Sequence, residues 1–173
     1  MRPPYPGAKP LVQRRLPRQA KGMSAFETQM QIALAQAQAA AKRGEVPVGA
    51  VLTDASGAIV AQDGNRTRAL SDPTAHAEVL AIRAACASAG SERLPGHTLW
   101  VTLEPCAMCA AAIAAARIGR VVYGADDPKS GGVTHGAKVF AHAQSHHAPE
   151  VISGVSADDA ARLLTDFFAR RRD

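Results

Sequence analysis

The chain has 173 residues, of which 47% are apolar and 20% are charged, an ordinary composition for one folded domain with a buried core. No apolar run approaches the ~20 residues that a membrane-spanning helix needs, and no apolar segment of a secretory signal follows the N-terminal charges. A membrane or secreted protein is therefore not expected, and the pattern of three cysteines favours the cytoplasm.

The formal net charge of +5 lies mostly at the N-terminus. Residues 1–22 contain six basic residues and no acidic one, which leaves a formal charge of −1 on the rest of the chain. Five prolines in this segment predict a disordered basic tail. A transit peptide is the alternative, since such peptides are also rich in arginine and poor in acids. The folded domain is expected over residues 23–173.

Helical and strand periodicities alternate along the rest of the chain. They predict nine elements: a helix at 24–44, a hairpin of strands at 45–53 and 58–61, a helix at 72–89, a strand at 98–103, a helix at 106–116, strands at 120–123 and 151–152, and a helix at 156–172. Because a helix joins the strands at 98–103 and 120–123, these two strands are predicted to be parallel. This order predicts an α/β fold in three layers, α/β/α, with a central mixed sheet of about five strands.

Capping residues predict where two of these helices begin. Asp72 is a favoured N-cap, and the proline after it suits the first helical position. Ser156 with Asp159 forms a second capping pair, and Gly90 is predicted to end the helix that Asp72 starts. Residues 126–147, rich in glycine and histidine, predict only a short helix near Val139.

Two short segments, 76–78 and 105–109, carry the candidate chemistry. Cys106 and Cys109 are three residues apart at a predicted helix start, so both sulfurs can face one ion, and the positive end of the helix favours thiolates. His76 also lies near a predicted helix start. These three residues are predicted to bind one zinc ion between two helix N-termini.

The number of ligands indicates what kind of zinc site this is. A structural zinc usually has four protein ligands, whereas a catalytic zinc has three and keeps one position for water. Glu78, two residues after His76, is the base that such a water needs. The sequence leaves open whether a histidine supplies a fourth ligand; the candidates are His135, His142, His146 and His147.

Each residue also has an ordinary structural interpretation. His76 alone fits a buried or capping histidine, the two cysteines fit a redox pair or a structural zinc site, and Glu78 fits a favourable charge in a first helical turn. A zinc-stabilised binding module without catalysis is therefore a competing hypothesis. An unliganded carboxylate beside the metal argues against it. Cys86, which stands alone in a helical pattern, is predicted to be a small buried apolar residue.

The two segments together resemble the zinc-dependent cytidine and adenosine deaminase superfamily. The longer stretches 72–78 and 103–109 are similar to one branch of it, the bacterial tRNA-specific adenosine deaminases, and the resemblance covers about residues 26–172. It implies a homodimer with one zinc per subunit that converts adenosine to inosine at the wobble position of a tRNA anticodon. Glu78 would take a proton from the attacking water and return it to the ring and the departing ammonia.

The same resemblance implies where the substrate is bound. Asn65 matches a ribose-contacting asparagine, and Asp127 lies in a loop that touches the anticodon loop. The basic C-terminal residues Arg170, Arg171 and Arg172 are candidate phosphate contacts, although basic residues there also stabilise their own helix. The run 130–135 and Ala169 depart from the usual pattern of the family. The alternative substrate is a free nucleoside or base of the guanine or cytosine type.

Overall fold

The computed structural model describes residues 13–15 and 25–171. The elements along this part of the chain are strand β1 (Gln13–Arg15), helix α1 (Ala25–Lys42), strands β2 (Gly49–Thr53) and β3 (Ile59–Gly64), helix α2 (Ala77–Ala89), strand β4 (Thr98–Leu103), helix α3 (Ala107–Ala115), strand β5 (Arg120–Ala125), a short 3-10 helix (Val139–Ala141), strand β6 (Glu150–Ser153) and helix α4 (Ala157–Ala169).

The strands form one mixed sheet in the order β1-β6-β5-β4-β2-β3. The pairs β1–β6, β6–β5 and β5–β4 are parallel, whereas β2 is antiparallel to both β3 and β4. Strands β2 to β6 confirm the predicted mixed sheet of five strands and the parallel pairing of β4 with β5. Strand β1 adds an edge strand from within the tail predicted to be disordered; the other residues of 1–22 lie outside the described part of the chain, as does Ser24.

Helices cover both faces of the sheet, which confirms the three-layer fold. Alternating side chains of each strand point to opposite faces. One core lies between the sheet and the pair α2 and α3, and it contains Leu52, Leu99, Val101, Val121, Ala81 and Ile113. The other lies beneath α1, and it contains Met30, Ala33, Val51, Trp100, Val122 and Ile152. Within the described residues, every helix is too short or too polar to cross a membrane.

Helix α1 lies directly on the backbone of the β2–β3 hairpin. Gly49 and Gly64 are cross-strand partners there. A Cβ on Gly49 would lie 2.0 Å from the carbonyl oxygen of Ala33, and one on Gly64 would lie 2.5 Å from that of Gln36. Only glycine permits this approach, because real Cβ atoms do not come so close to another heavy atom.

The start of α2 differs from the prediction. Asp72 does not cap the helix, which begins at Ala77 with His76 as its N-cap. The Asp72 carboxylate instead accepts hydrogen bonds from the backbone N–H and the hydroxyl of Thr74 at 2.8 and 2.7 Å. Such a local bond stabilises a turn two residues on, and this turn delays the helix by four residues. The end of α2 at left-handed Gly90 is confirmed.

The start of α4 lies where it was predicted, but without the predicted cap. Ser156 has a φ of 52°, in the left-handed region, and its side chain makes no capping hydrogen bond. An N-cap residue needs extended backbone angles to direct its side chain at the first turn, so this conformation prevents the bond.

Candidate active site

Three candidate metal ligands meet where α2 and α3 begin. His76 is the N-cap of α2, Cys106 is the N-cap of α3, and Cys109 lies in the first turn of α3. Nδ1 of His76 is 3.7 Å from Sγ of Cys106 and 3.5 Å from Sγ of Cys109. The structure therefore brings together the residues that the sequence predicted, between two helix N-termini.

The spacing of these atoms fits zinc. Sulfur at ~2.3 Å and nitrogen at ~2.0 Å from a tetrahedral ion stand about 3.5 Å apart. Both cysteines are free thiols. Among the described residues, no second histidine joins the cluster as a fourth ligand. His135 bonds instead to a carboxylate and His147 to the carbonyl oxygen of Ile118. Three ligands leave room for the open position of a catalytic site.

The surroundings of Cys106 favour its thiolate. The Cys109 thiol donates a hydrogen bond to Cys106, and His76 lies beside it, so the pKa of Cys106 is lowered to about 4 although burial opposes this shift. The N-terminal end of α3 acts in the same direction. A thiolate is the form of cysteine that binds a metal. Cys86, predicted to be buried, packs partly buried against the core.

Glu78 is buried beside this cluster and incompletely bonded. It lies in the first turn of α2 with 3% of its surface exposed, and its Oε2 has no hydrogen-bond partner. Burial raises the pKa of Glu78, and nearby His76 opposes the rise. A buried carboxylate oxygen without a partner is costly in free energy, so a purely structural role does not explain it. A carboxylate oxygen in this state can accept a proton, which is the role that the sequence predicts for Glu78.

Asn65 is nearly buried between the loop after β3 and the start of α2. Its Oδ1 accepts a hydrogen bond from the backbone N–H of Ala77 at 2.9 Å. Because the His76 side chain does not cap the helix, Asn65 satisfies one of the open donors at this end. The predicted ribose contact is thus bonded to the residue that lies between His76 and Glu78.

Glu104 is a buried carboxylate that sequence reasoning did not single out. Its oxygens accept hydrogen bonds from the ring of His135 at 2.6 Å and from the backbone N–H groups of Asp127, Val133, Thr134 and His135. These bonds lower the pKa of Glu104, although burial alone would raise it. An acid at the end of the apolar strand β4, just before a metal-binding segment, is the signal that could have identified it.

The loop that Glu104 holds packs against the first residues of α3. Gly131 pairs with Cys106 in an isolated bridge, and the N–H of Gly132 donates to the carbonyl oxygen of Pro105 at 2.8 Å. A Cβ on Gly132 would lie 2.4 Å from the backbone nitrogen of Ala107. The loop therefore supports the backbone that carries two of the three candidate ligands.

Comparison with known proteins agrees with this geometry. A family model described as the cytidine and deoxycytidylate deaminase zinc-binding region matches residues 23–125. The chain belongs to this zinc-binding deaminase family. Zinc is thus the cofactor of the family, as the sequence predicted, and His76, Cys106 and Cys109 could hold it.

Individual relatives place the chain within one branch of the family. The tRNA-specific adenosine deaminase of Agrobacterium fabrum is 53% identical over 143 residues, which are 83% of this chain and 93% of that protein. A solved structure from studies of A-to-I editing by tRNA:A34 deaminases at the wobble position of transfer RNA is 53% identical, with a TM-score of 0.78 over 79% of this chain and 99% of that one. These confirm the resemblance to tRNA-specific adenosine deaminases.

A guanine deaminase is also similar, at a lower level. The structure of the Bacillus subtilis enzyme is 42% identical, with a TM-score of 0.56 over 58% of this chain and 64% of that one. The fold is therefore shared by proteins whose names give different substrates.

The other predicted substrate contacts lie apart from the metal ligands in sequence and engage other groups. The Asp127 carboxylate accepts hydrogen bonds from the backbone N–H groups of Lys129 and Ser130 and so stabilises its own turn. Arg170 is exposed just after α4, and Arg171 lies over the ring of Phe167. Arg172 lies outside the described residues. Roles in substrate binding stay predictions for all four.

Proposed function

We propose that the protein is a zinc-dependent hydrolase that deaminates adenosine to inosine at the wobble position of a tRNA anticodon. The observation that carries the proposal is the buried Glu78 carboxylate with an unpaired oxygen, beside a histidine and two cysteines that could hold zinc. The tRNA-specific relative at 53% identity supports the choice of substrate.

The chain's own residues supply ligands and a proton shuttle. His76, Cys106 and Cys109 would hold zinc, which makes water a nucleophile near neutral pH when it is bound. Glu78 accepts a proton from the attacking water as the C6–O bond forms. It delivers that proton to the ring nitrogen, then takes the water's second proton from the new C6 hydroxyl and passes it to the amino group, so that the C6–N bond breaks and ammonia leaves.

A substitution at Glu78 tests the chemistry. Zinc-loaded Glu78→Gln should retain its fold and metal but lose about 10²–10⁴-fold in initial rate, measured as ammonia and inosine from an anticodon stem-loop. Glu92→Gln, at an exposed position, is the matched control and should react like the wild type. A wild-type rate in zinc-loaded Glu78→Gln would assign the proton transfer to another group.

A choice of substrates tests the specificity. The wild type should deaminate an anticodon stem-loop faster than free adenosine, guanine or cytidine at equal concentration. We propose that Asn65 contacts the ribose, that Asp127 lies against the anticodon loop, and that Arg170, Arg171 and Arg172 contact phosphates. If guanine or cytidine reacts faster than the stem-loop, the small-molecule alternative replaces the tRNA substrate.

We also propose that the enzyme is a cytoplasmic homodimer. The exposed face of α3 is apolar, with Met108, Ala111 and Ala115, and it borders a cavity of about 370 Å³ that Val139 also lines. An exposed apolar face of this kind fits contact with a second copy, because homodimer interfaces are more apolar than the rest of the surface. Ala111→Arg should therefore yield a monomer in sedimentation velocity, whereas Ala87→Arg on the exposed side of α2 should not. If the Ala111→Arg protein is still a dimer, this face of α3 is not the dimer interface.

A further inference from the structure

Two arginine side chains from distant parts of the chain meet at the turn after α1, beside a third, Arg43, on the turn itself. Nη1 of Arg68, at 3.3 Å, and Nη2 of Arg171 both donate hydrogen bonds to the carbonyl oxygen of Gly44. Nη2 of Arg43 donates to the carbonyl oxygen of Asn65 at 3.3 Å. We call Arg43, Arg68 and Arg171 the Gly44 arginine cluster. All three are exposed.

Carbonyl groups position these guanidinium groups, and the only carboxylate whose pKa one of them lowers is that of Glu45, beside Arg68, among the described residues. Among residues 25–171, none of the three forms an ion pair with an aspartate or a glutamate. Arg66, on the same loop as Arg68, differs in this respect because it is paired with Asp63 at 2.9 Å. The nearby Glu45 carboxylate is buried and already accepts bonds from the loop 67–69.

The cluster presents donors that are ready to bind an anion. A Cβ on Gly44 would lie 3.4 Å from Nη2 of Arg171 and 3.8 Å from Nη1 of Arg68, so both groups line the same side of the turn. The ring of Phe167, 4.3 Å from the Arg171 guanidinium carbon, fixes that side chain further. Each arginine has five N–H donors in a planar fork, which matches the oxygens of a phosphate.

The cluster is connected to the candidate active site through one residue. Asn65, whose carbonyl oxygen accepts the bond from Arg43, also caps α2 at Ala77 between His76 and Glu78. We propose that the Gly44 arginine cluster binds a backbone phosphate of the RNA strand whose nucleoside enters the active site. That the phosphate belongs to RNA rests on the proposed function. The cluster supplies local positive charge to a domain whose formal charge outside residues 1–22 is −1.

Direct binding to a labelled anticodon stem-loop tests the proposal without turnover. Full-length, zinc-loaded wild type, Arg68→Gln, Arg171→Gln and their double variant are compared by fluorescence anisotropy across a salt series. The double variant should bind about tenfold more weakly. Its slope of log K against log salt should fall by about 0.7 in magnitude, the value for one phosphate contact on a single strand. Arg68→Lys, which keeps the charge, should recover part of the affinity.

Arg162→Gln is the matched control, since Arg162 is exposed on α4 and already paired with Asp159. If the folded double variant binds the stem-loop like Arg162→Gln, with an equal salt slope, the proposal is wrong. Weaker binding of adenosine monophosphate with no change for the stem-loop would also overturn it, because the phosphate would then belong to a free nucleotide. If the variants bind the stem-loop more weakly as expected but the wild type forms no inosine from it, the proposed function is contradicted and the cluster is still supported.

Discussion

The side-chain oxygen of Asn65 caps the backbone N–H of Ala77, so the loop after β3 fixes the first turn of the helix that carries Glu78. Asn65→Ala should lower the free energy of unfolding by about 1 kcal/mol, the usual effect of losing an N-cap acceptor. Asn65→Asp keeps the acceptor and should be nearly as stable, which urea unfolding can measure.

The same pair of variants separates the two roles of Asn65. If the side-chain amide contacts the ribose, Asn65→Asp should raise KM for the stem-loop despite its retained stability. Equal KM values for the wild type and Asn65→Asp would leave only the capping role.

Removal of one sulfur ligand should remove the metal. Cys109→Ala should contain little zinc by elemental analysis and should unfold at a lower temperature than the wild type, because metal binding stabilises the folded state. A chelator should lower the unfolding temperature of the wild type and leave that of Cys109→Ala unchanged. Cys86→Ala, which removes a thiol outside the cluster, should keep one zinc per chain. Full occupancy in Cys109→Ala would contradict its assignment as a ligand.

A methyl group on Gly132 should disturb the zinc site through the backbone. The added Cβ would lie 2.4 Å from the nitrogen of Ala107, so the loop or the start of α3 must move. We expect Gly132→Ala to destabilise the protein by about 1–3 kcal/mol and to weaken zinc binding in a competition with a chromogenic chelator. Gly119→Ala, whose Cβ would have contacts of 3.4–3.5 Å, should bind zinc normally. Unchanged zinc affinity in Gly132→Ala would show that the loop does not support the ligands.

The buried Glu45 carboxylate should make stability depend on pH. Burial alone would raise the pKa of Glu45, but hydrogen bonds from the N–H groups of Ala69 and Arg68 and from the Thr67 hydroxyl lower it below the ordinary value of 4.5. A lowered pKa in the folded state stabilises the protein above pH 4.5, and this stabilisation is lost as the pH falls through the folded-state pKa.

Glu45→Gln should therefore be less stable than the wild type at pH 7, and the difference should shrink below about pH 4.5. Urea unfolding of both proteins from pH 7 to pH 3 measures it. Effects of acid on the metal ligands occur in both proteins and cancel in the difference. A difference that is as large at pH 3 as at pH 7 would show that the Glu45 charge does not contribute.

Local sequence patterns predicted much of this fold. Strand β4 has the predicted bounds, α2 ends at Gly90, and the two motifs meet because each begins a helix on the same face of the sheet. The start of α2 was wrong, since a short-range hydrogen bond of Asp72 competed with the helix. An aspartate can either cap a helix or bond to a nearby backbone N–H in a turn, and these alternatives are nearly equal in energy.

Contacts between distant residues could not be found in this way. Glu104 bonds to residues 23 to 31 positions later, and Arg171 meets Gly44 from 127 positions away. No periodicity links such residues. A buried acid and an exposed arginine become informative only when the fold shows what surrounds them.

The hairpin position where Gly49 faces Gly64 has a practical consequence for altering this enzyme. In a mutagenesis library directed at β2 and β3, no residue with a side chain should be tolerated at either position, because the backbone of α1 already occupies that volume. The exposed positions 68–71 of the following loop offer room for variation that Gly49 and Gly64 do not.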